Sequence, residues 1–255
     1  MPSGGSAAGK RPGMNRSSAD MIVGLIVAGG TGTRFGGPIP KQYALLAGVP
    51  ILVRTLRVFD ACECVERLVV AVPPEDVAFV GDTMLAAAAL NKSVAVVAGG
   101  ARRQDSVFNG LAAVPSEATV VVIHDAVRPL VTCAAISACA DAARQHGACI
   151  VAWPVWDTLK RVSSAGCIDA TLPREDVWMA QTPQAFRSAV IRTAHERARR
   201  ERVPATDDAS LVERMGTTVH VLPGSLRNLK ITTAEDLALA EALLGAALPQ
   251  ADPAY

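Results

Sequence analysis

Arg34 and Lys41 stand seven residues apart in a glycine-rich stretch, Ala28-Gly29-Gly30-Thr31-Gly32-Thr33-Arg34, which runs on to Pro40-Lys41-Gln42. Glycines bring backbone N–H groups close to a polyanion because no Cβ intervenes. Two cations beside them supply the charge that a triphosphate needs. These residue types suit nucleotide binding; the alternative is an ordinary glycine-rich strand-to-helix turn. Neither familiar phosphate loop fits. After Gly30-x-Gly32 the dinucleotide fingerprint wants a small residue where Phe35 stands, and no Gly-Lys-Ser/Thr run occurs. Pro38 and Pro40 also keep a helix from starting directly after the loop, so an irregular collar is expected.

Further along, Asp125 ends a Val-Val-Ile-His run. A carboxylate there, facing a triphosphate, is a natural Mg²⁺ ligand. The alternative is an N-cap for the next helix, which Pro129 makes weaker. Arg128 could hold a second anionic substrate or pair with a surface acid. Arg103 and Ser106 open a helix after Gly99-Gly100, where N–H groups and a hydroxyl suit a base, ribose or phosphate; the other reading of Ser106 is a plain helix residue. Asp157-Thr158, Lys160 and Arg174 could receive an anion from a neighbouring subunit or form a solvated face. Gln181-Thr182-Pro183-Gln184 is polar and turn-forming, and could line a small site. Lys230, one of five lysines, is either a site residue or a surface cation. His124 receives no role.

The elements that must position these groups follow from periodicity. Apolar β-branched runs recur at 22–27, 68–72, 94–97, 120–123, 149–152 and 218–222, and helical spacing at 50–59, 75–90, 104–114 and 132–146 lies between them. Strands alternating with helices imply a parallel sheet covered on both faces. Ligands of such sheets sit at the carboxyl ends of strands. The first, third and fourth exits deliver the Gly29–Lys41 loop, the Gly99–Ser106 loop and His124–Pro129. One segment breaks the rhythm: two short alternating runs around Ser-Ser-Ala-Gly predict a β-hairpin arm over about 153–178. An amphipathic helix is expected over 232–244, capped by Thr233.

The chain has 255 residues, 50% of them hydrophobic and 4% aromatic, which suits one large domain or two small ones with an Ala/Val/Leu core. A net charge of +1 suggests neither nucleic-acid nor membrane-surface binding. The six cysteines form no CxxC pair, so a structural zinc site is not expected, and a reducing, cytoplasmic setting is. No apolar run approaches a membrane span. Residues 1–20 read as a disordered extension, 21–247 as one domain and 248–255 as a tail.

The motifs, in this order, resemble the cytidylyltransferases of isoprenoid biosynthesis, the 2-C-methyl-D-erythritol 4-phosphate cytidylyltransferase family. The resemblance is carried by Ala28-Gly29-Gly30-x-Gly32-x-Arg34, Pro40-Lys41-Gln42, Gly99-Gly100-x-x-Arg103-x-x-Ser106-Val107 and His124-Asp125-Ala126-x-Arg128-Pro129. It continues through Asp157-Thr158-x-Lys160, Gln181-Thr182-Pro183-Gln184, Thr206-Asp207-Asp208-Ala209-Ser210 and Asn228-x-Lys230-Ile231-Thr232. It implies an α/β, Rossmann-like, mostly parallel sheet with helices on both faces, of the nucleotidyltransferase (glycosyltransferase-A-like) kind. The implied reaction transfers CMP from CTP to a sugar-alcohol phosphate with Mg²⁺ and releases pyrophosphate. By the same resemblance Ala28, Gly29, Gly30, Gly32, Gly100, Arg103, Ser106 and Ala126 surround CTP. Arg34 and Lys41 stabilise the reacting phosphate, with Lys230 and Arg174 also catalytic. Asp125 serves the metal and the acceptor, Arg128, Thr182 and Lys230 hold the acceptor, and Thr158 and Arg174 come from the arm of a homodimer partner. Ala101 and Val127 depart from the family's usual residues. Ribitol-5-phosphate cytidylyltransferases share the CTP loops, and a nucleotide sensor or a glycosyltransferase is the remaining alternative.

Overall fold

In the computed structural model, residues 20–30, 35 and 39–246 are described. The first strand, β1 (Met21–Val27), is followed by a short ribbon of β2 (Leu45–Leu46) and β3 (Val49–Pro50). Next come α1 (Ile51–Ala61), β4 (Arg67–Val72), α2 (Leu85–Ala88), β5 (Ser93–Ala98), α3 (Arg103–Ala113), β6 (Ala118–Asp125) and α4 (Cys133–His146). The chain continues through β7 (Ala148–Pro154), β8 (Leu159–Val162), β9 (Ile168–Leu172), β10 (Trp178–Arg187), α5 (Ser188–Glu201), α6 (Asp208–Glu213), β11 (His220–Pro223) and α7 (Ala234–Gly245).

Seven strands form the central sheet in the order β11-β7-β10-β6-β1-β4-β5. β1 lies between β4 and β6 and runs parallel to both. It is covered on both faces, which is why its sequence is apolar without alternation. Successive side chains still point to opposite sides. Ile26 packs with Leu52, Leu56 and Phe59 of α1 and Ile136 of α4. Leu25 packs with Val107 and Leu111 of α3, Ile191 of α5 and Leu211 of α6. Each such side chain contributes about 1.5–3 kcal/mol on burial, so these two layers hold the strand exits in register. A smaller cluster of Leu46, Ile51, Val127, Ile231 and Ala240 joins the end of the chain to the β6 exit. There Ile231 N–H donates to the Val127 carbonyl at 2.9 Å, which brings Lys230 to the same edge.

The six expected runs are strands and the hairpin is present, with Leu159 opposite Leu172 in a ribbon separate from the main sheet. Three local expectations differ. Gln181–Gln184 is no free turn; it lies within β10, which inserts antiparallel between β6 and β7. The ladder to β7 breaks between Ala180 and Gln184, where Pro183 has no N–H to donate, and the polar residues mark this irregularity. The 75–90 stretch is not one α-helix. It divides into a 3₁₀ turn at Pro74–Asp76, a wider π turn at Phe79–Met84 and α2, with Gly81 in the π turn weakening the regular helix. α7 is capped by Thr233 as expected, but it is not amphipathic. Only Ala240 on it is buried, and Leu239 stays 53% exposed, because Ala and Leu occupy all sides of the helix.

Candidate active site

The two glycine loops meet over one hydroxyl. A Cβ on Gly29 would lie 2.8 Å from Ser106 Oγ, and so would one on Gly99. Ser106 Oγ accepts from Gly100 N–H at 3.0 Å and donates to the Arg102 carbonyl at 3.2 Å. Ser106 is buried, and together with Gly100 it sits behind the loop surface and shapes it. Ala126 is also buried, donating its N–H to the Val27 carbonyl at 3.0 Å and so clamping β6 to β1.

In front of these loops is a cavity of about 230 Å³. Ala28, Gly29, Gly30 and Lys41 line it together with Arg103, Asp125 and Lys230, and Ala101 and Gln42 are also on the wall. Asp125 is its centre. Lys230 Nζ stands 2.7 Å from Oδ2 and Arg103 Nε 3.0 Å from Oδ1, with Arg128 Nε at 3.8 Å. Burial alone would raise the Asp125 carboxyl; Arg103 and Lys230 outweigh it and hold the group well below the usual carboxylate range. One carboxylate facing three cations leaves the cavity with a positive excess, suited to polyanions. The helix-cap alternative for Asp125 does not hold, since α4 starts only at Cys133 and Thr132 caps it. A second cavity, of about 270 Å³, lies between α3 and α5 and is lined by Arg102, Gln104, Asp105, Phe108 and Arg199 among others, with none of the glycines on its wall.

Behind the wall lie partners that spacing did not reveal. Arg103 Nη1 reaches Asp208 Oδ2 at 2.7 Å, and Asp208 Oδ1 meets His195 Nε2 at 3.0 Å. Asp208 is buried, yet Arg103 and His195 together overcome that burial and keep its carboxyl below the ordinary range. Gln184 supplies the acceptor for the Asp208 and Ala209 N–H groups, both at 3.1 Å. The adjacent pair Asp207-Asp208 was the available signal: Asp207 caps α6 by accepting from Ser210 N–H at 3.1 Å, which turns Asp208 inward. Arg128 donates to the Asn228 carbonyl at 2.6 Å, and Thr182 is buried against His124 and Asp125. Burial pushes the His124 imidazole down to about 4, so the ring is neutral near pH 7.

Of the sequence-derived site residues, then, Ala28, Gly29, Gly30, Lys41, Arg103, Asp125 and Lys230 share one cavity. Gly100, Ser106, Ala126, Arg128 and Thr182 stand around it. Gly32 and Arg34 lie outside the described residues. Thr158 and Arg174 are exposed on or beside the arm and do not line this cavity within one chain; Arg174 instead donates to the Trp156 carbonyl.

A family model described as 2-C-methyl-D-erythritol 4-phosphate cytidylyltransferase matches residues 22–246. The protein of that name from Syntrophus aciditrophicus (strain SB) is 47% identical over 223 residues, covering 88% of this chain and 95% of that one. Its counterpart from Geobacter metallireducens (strain ATCC 53774 / DSM 7210 / GS-15) is 47% identical over 231 residues, covering 89% and 99%. The crystal structure of 2-C-methyl-D-erythritol 4-phosphate cytidylyltransferase from Thermus thermophilus aligns with a TM-score of 0.73 at 32% identity, over 87% of this chain and 98% of that one.

Proposed function

This chain belongs to the 2-C-methyl-D-erythritol 4-phosphate cytidylyltransferase family, and from that premise we propose how its own residues perform the reaction. The reaction is transfer of CMP from CTP to 2-C-methyl-D-erythritol 4-phosphate, giving 4-diphosphocytidyl-2-C-methyl-D-erythritol and pyrophosphate in the non-mevalonate isoprenoid route. The observation that carries the assignment to this cavity is Asp125 held between Lys230 and Arg103 in the same cavity wall as the Gly29-Gly30 loop and Lys41.

A phosphate oxygen of the acceptor attacks the α-phosphorus of CTP in line, and the bond to pyrophosphate breaks. The attacking oxygen is already anionic near neutral pH, so no side-chain nucleophile or general base is required. Negative charge spreads over the phosphoryl oxygens, and catalysis is positioning plus cationic stabilisation. Lys41 and Arg34 serve the α-phosphate and the leaving group. Gly29 and Gly30 let backbone approach the triphosphate. Lys230 and Arg128 receive the acceptor phosphate, and Asp125 orients Lys230 while facing the acceptor's hydroxyls.

Mg²⁺ fits this donor set in one way. Among the described residues no group of three His, Cys, Asp or Glu could hold a metal ion, and Asp125, the carboxylate lining this cavity, is the residue that would hold Mg²⁺. Such an ion would supply charge neutralisation on the phosphoryl oxygens. The active unit we propose is a homodimer. Trp156, Val162, Ile168, Trp178 and Met179 are large apolar side chains exposed on and beside the arm, a surface suited to burial against a second copy. In that arrangement the arm carries Thr158 and Arg174 toward the partner subunit's cavity. A cytoplasmic location agrees with six free cysteines, and among the described residues no helix is long and apolar enough to cross a membrane.

Purified chain with Mg²⁺ and CTP should release pyrophosphate when given 2-C-methyl-D-erythritol 4-phosphate. Turnover with ribitol 5-phosphate alone would move the assignment to the sibling activity. Turnover with neither would leave a nucleotide-binding protein of the same fold.

A further inference from the structure

His124 is a buried titratable group beside the site that the reaction above does not use. It is fully buried at the end of β6, with its ring 5.2 Å from that of Phe59. Its Nε2 lies 3.1 Å from the Arg128 carbonyl oxygen, and its Nδ1 lies 2.9 Å from Thr182 Oγ. Thr182 Oγ in turn lies 3.1 Å from the Asp125 backbone nitrogen.

These contacts admit one assignment of protons for a neutral ring. A carbonyl oxygen only accepts, so Nε2 carries the hydrogen and donates to Arg128. Nδ1 is then bare and accepts from the Thr182 hydroxyl. That hydroxyl has a lone pair left for the Asp125 N–H. Every polar atom in the chain of contacts is satisfied, and its two ends are the backbones of the residue that faces the acceptor's hydroxyls and the one that receives its phosphate. We propose that His124, held as the Nε2–H tautomer by Thr182, is a positioning residue that sets the spacing between Asp125 and Arg128 and so the fit of the acceptor. Thr182 acts through His124 and Asp125 in this arrangement, and its hydroxyl proton is committed to the ring.

The kinetic part of this inference rests on the cytidylyl-transfer reading; the tautomer does not, and it is read on the ligand-free protein. In long-range ¹⁵N–¹H spectra of the wild-type chain, His124 should show a protonated Nε2 and a bare Nδ1. A ring protonated at Nδ1 alone would overturn the proposal. His124→Gln places an amide N–H near the Nε2 position and keeps the donor to Arg128; His124→Asn places its amide near Nδ1 and loses that donor. The expected split is in KM for the acceptor: within about threefold of wild type for the Gln variant, raised about tenfold for the Asn variant, the factor expected for one lost buried hydrogen bond. KM for CTP should stay within about threefold in both. Equal acceptor KM in the two variants, with only the melting temperature changed, would show a merely structural histidine and refute the positioning role. Thr182→Val supplies a third readout that needs no turnover. It should shift the His124 Nδ1 resonance and the Asp125 amide, and unchanged resonances would sink the network.

Discussion

Asp208 meets the cavity wall through Arg103, and on the function proposed above it supports the nucleotide side of the site. Its two oxygens engage Arg103 at 2.7 Å and His195 at 3.0 Å, and its side chain is 1% exposed. Asp208→Ala would leave the Arg103 guanidinium with one carboxylate in place of two. Removing one member of a buried pair costs about 3–5 kcal/mol. Arg103 keeps Asp125 at 3.0 Å and its side chain remains 24% exposed, so the lower end, about 3 kcal/mol, is expected. For a chain of this size that is a fall of roughly 6–12 °C in melting temperature. Asp208→Asn retains the shape and one acceptor, and should cost about 1–2 kcal/mol. The folded-state pKa of Asp208 lies below the ordinary carboxylate value, so its stabilisation is complete above about pH 4 and is lost as pH falls through the folded value. Followed from about pH 8 down to about pH 3, the gap between wild type and Asp208→Asn should therefore narrow at the acid end. Thermal denaturation across that range, with KM for CTP measured by pyrophosphate release at pH 7, is the assay. An Asp208→Ala melting temperature within 2 °C of wild type, or an unchanged KM for CTP, would refute the reasoning.

Other outcomes follow from the same geometry. Lys41→Ala should lower kcat about 10²–10³-fold with a smaller change in KM for CTP, the range seen when one stabilising donor is removed from a transition state; a pure KM effect in steady-state kinetics would assign Lys41 to ground-state binding instead. Gly29→Ala should be strongly impaired because the added Cβ falls 2.8 Å from Ser106 Oγ, whereas the next neighbour, Ser106 Cβ, is 3.7 Å away. Adding Ser106→Ala should therefore restore CTP affinity in part, as a double-mutant cycle would show; additive losses would mean that the loops do not share that space. Gly99→Ala should gain less from the same partner change, since its Cβ also meets the Val72 carbonyl at 3.2 Å. Mixing an Arg174→Ala chain with a Lys230→Ala chain should recover some activity if the arm completes a neighbour's site. No recovery in heterodimers shown by mass spectrometry to have formed would end that idea.

What was legible in the chain itself was whatever depends on neighbours in sequence. The apolar runs mark strands because a strand covered on both faces needs them, and β1 shows this from Ile22 to Val27. The glycines at 29, 99 and 100 mark the exits because a Cβ there meets Ser106 or Asp105. Thr233 announced its helix through a local side-chain hydrogen bond to Asp236 N–H. From these, the chain's order of motifs suffices to place Lys41, Arg103 and Asp125 on one edge of a sheet, and Lys230 joins them through the Ile231–Val127 contact, which local spacing does not give.

Sheet order decided the rest. β10 could not be anticipated as an antiparallel strand between β6 and β7, because pairing across the sheet leaves no period in one strand's sequence. Only that insertion sets Thr182 beside His124, 58 residues away, and gives His124 a definite tautomer. Asp208 reaches Arg103 across 105 residues of chain, a contact that exists because α6 packs beneath the same sheet as α3. Local spacing tells which residues can carry charge and where backbone can approach a phosphate. Which charges are buried together, and which hydrogen bond fixes each one, follows from the packing of distant elements, since burial and pairing are properties of the folded interior.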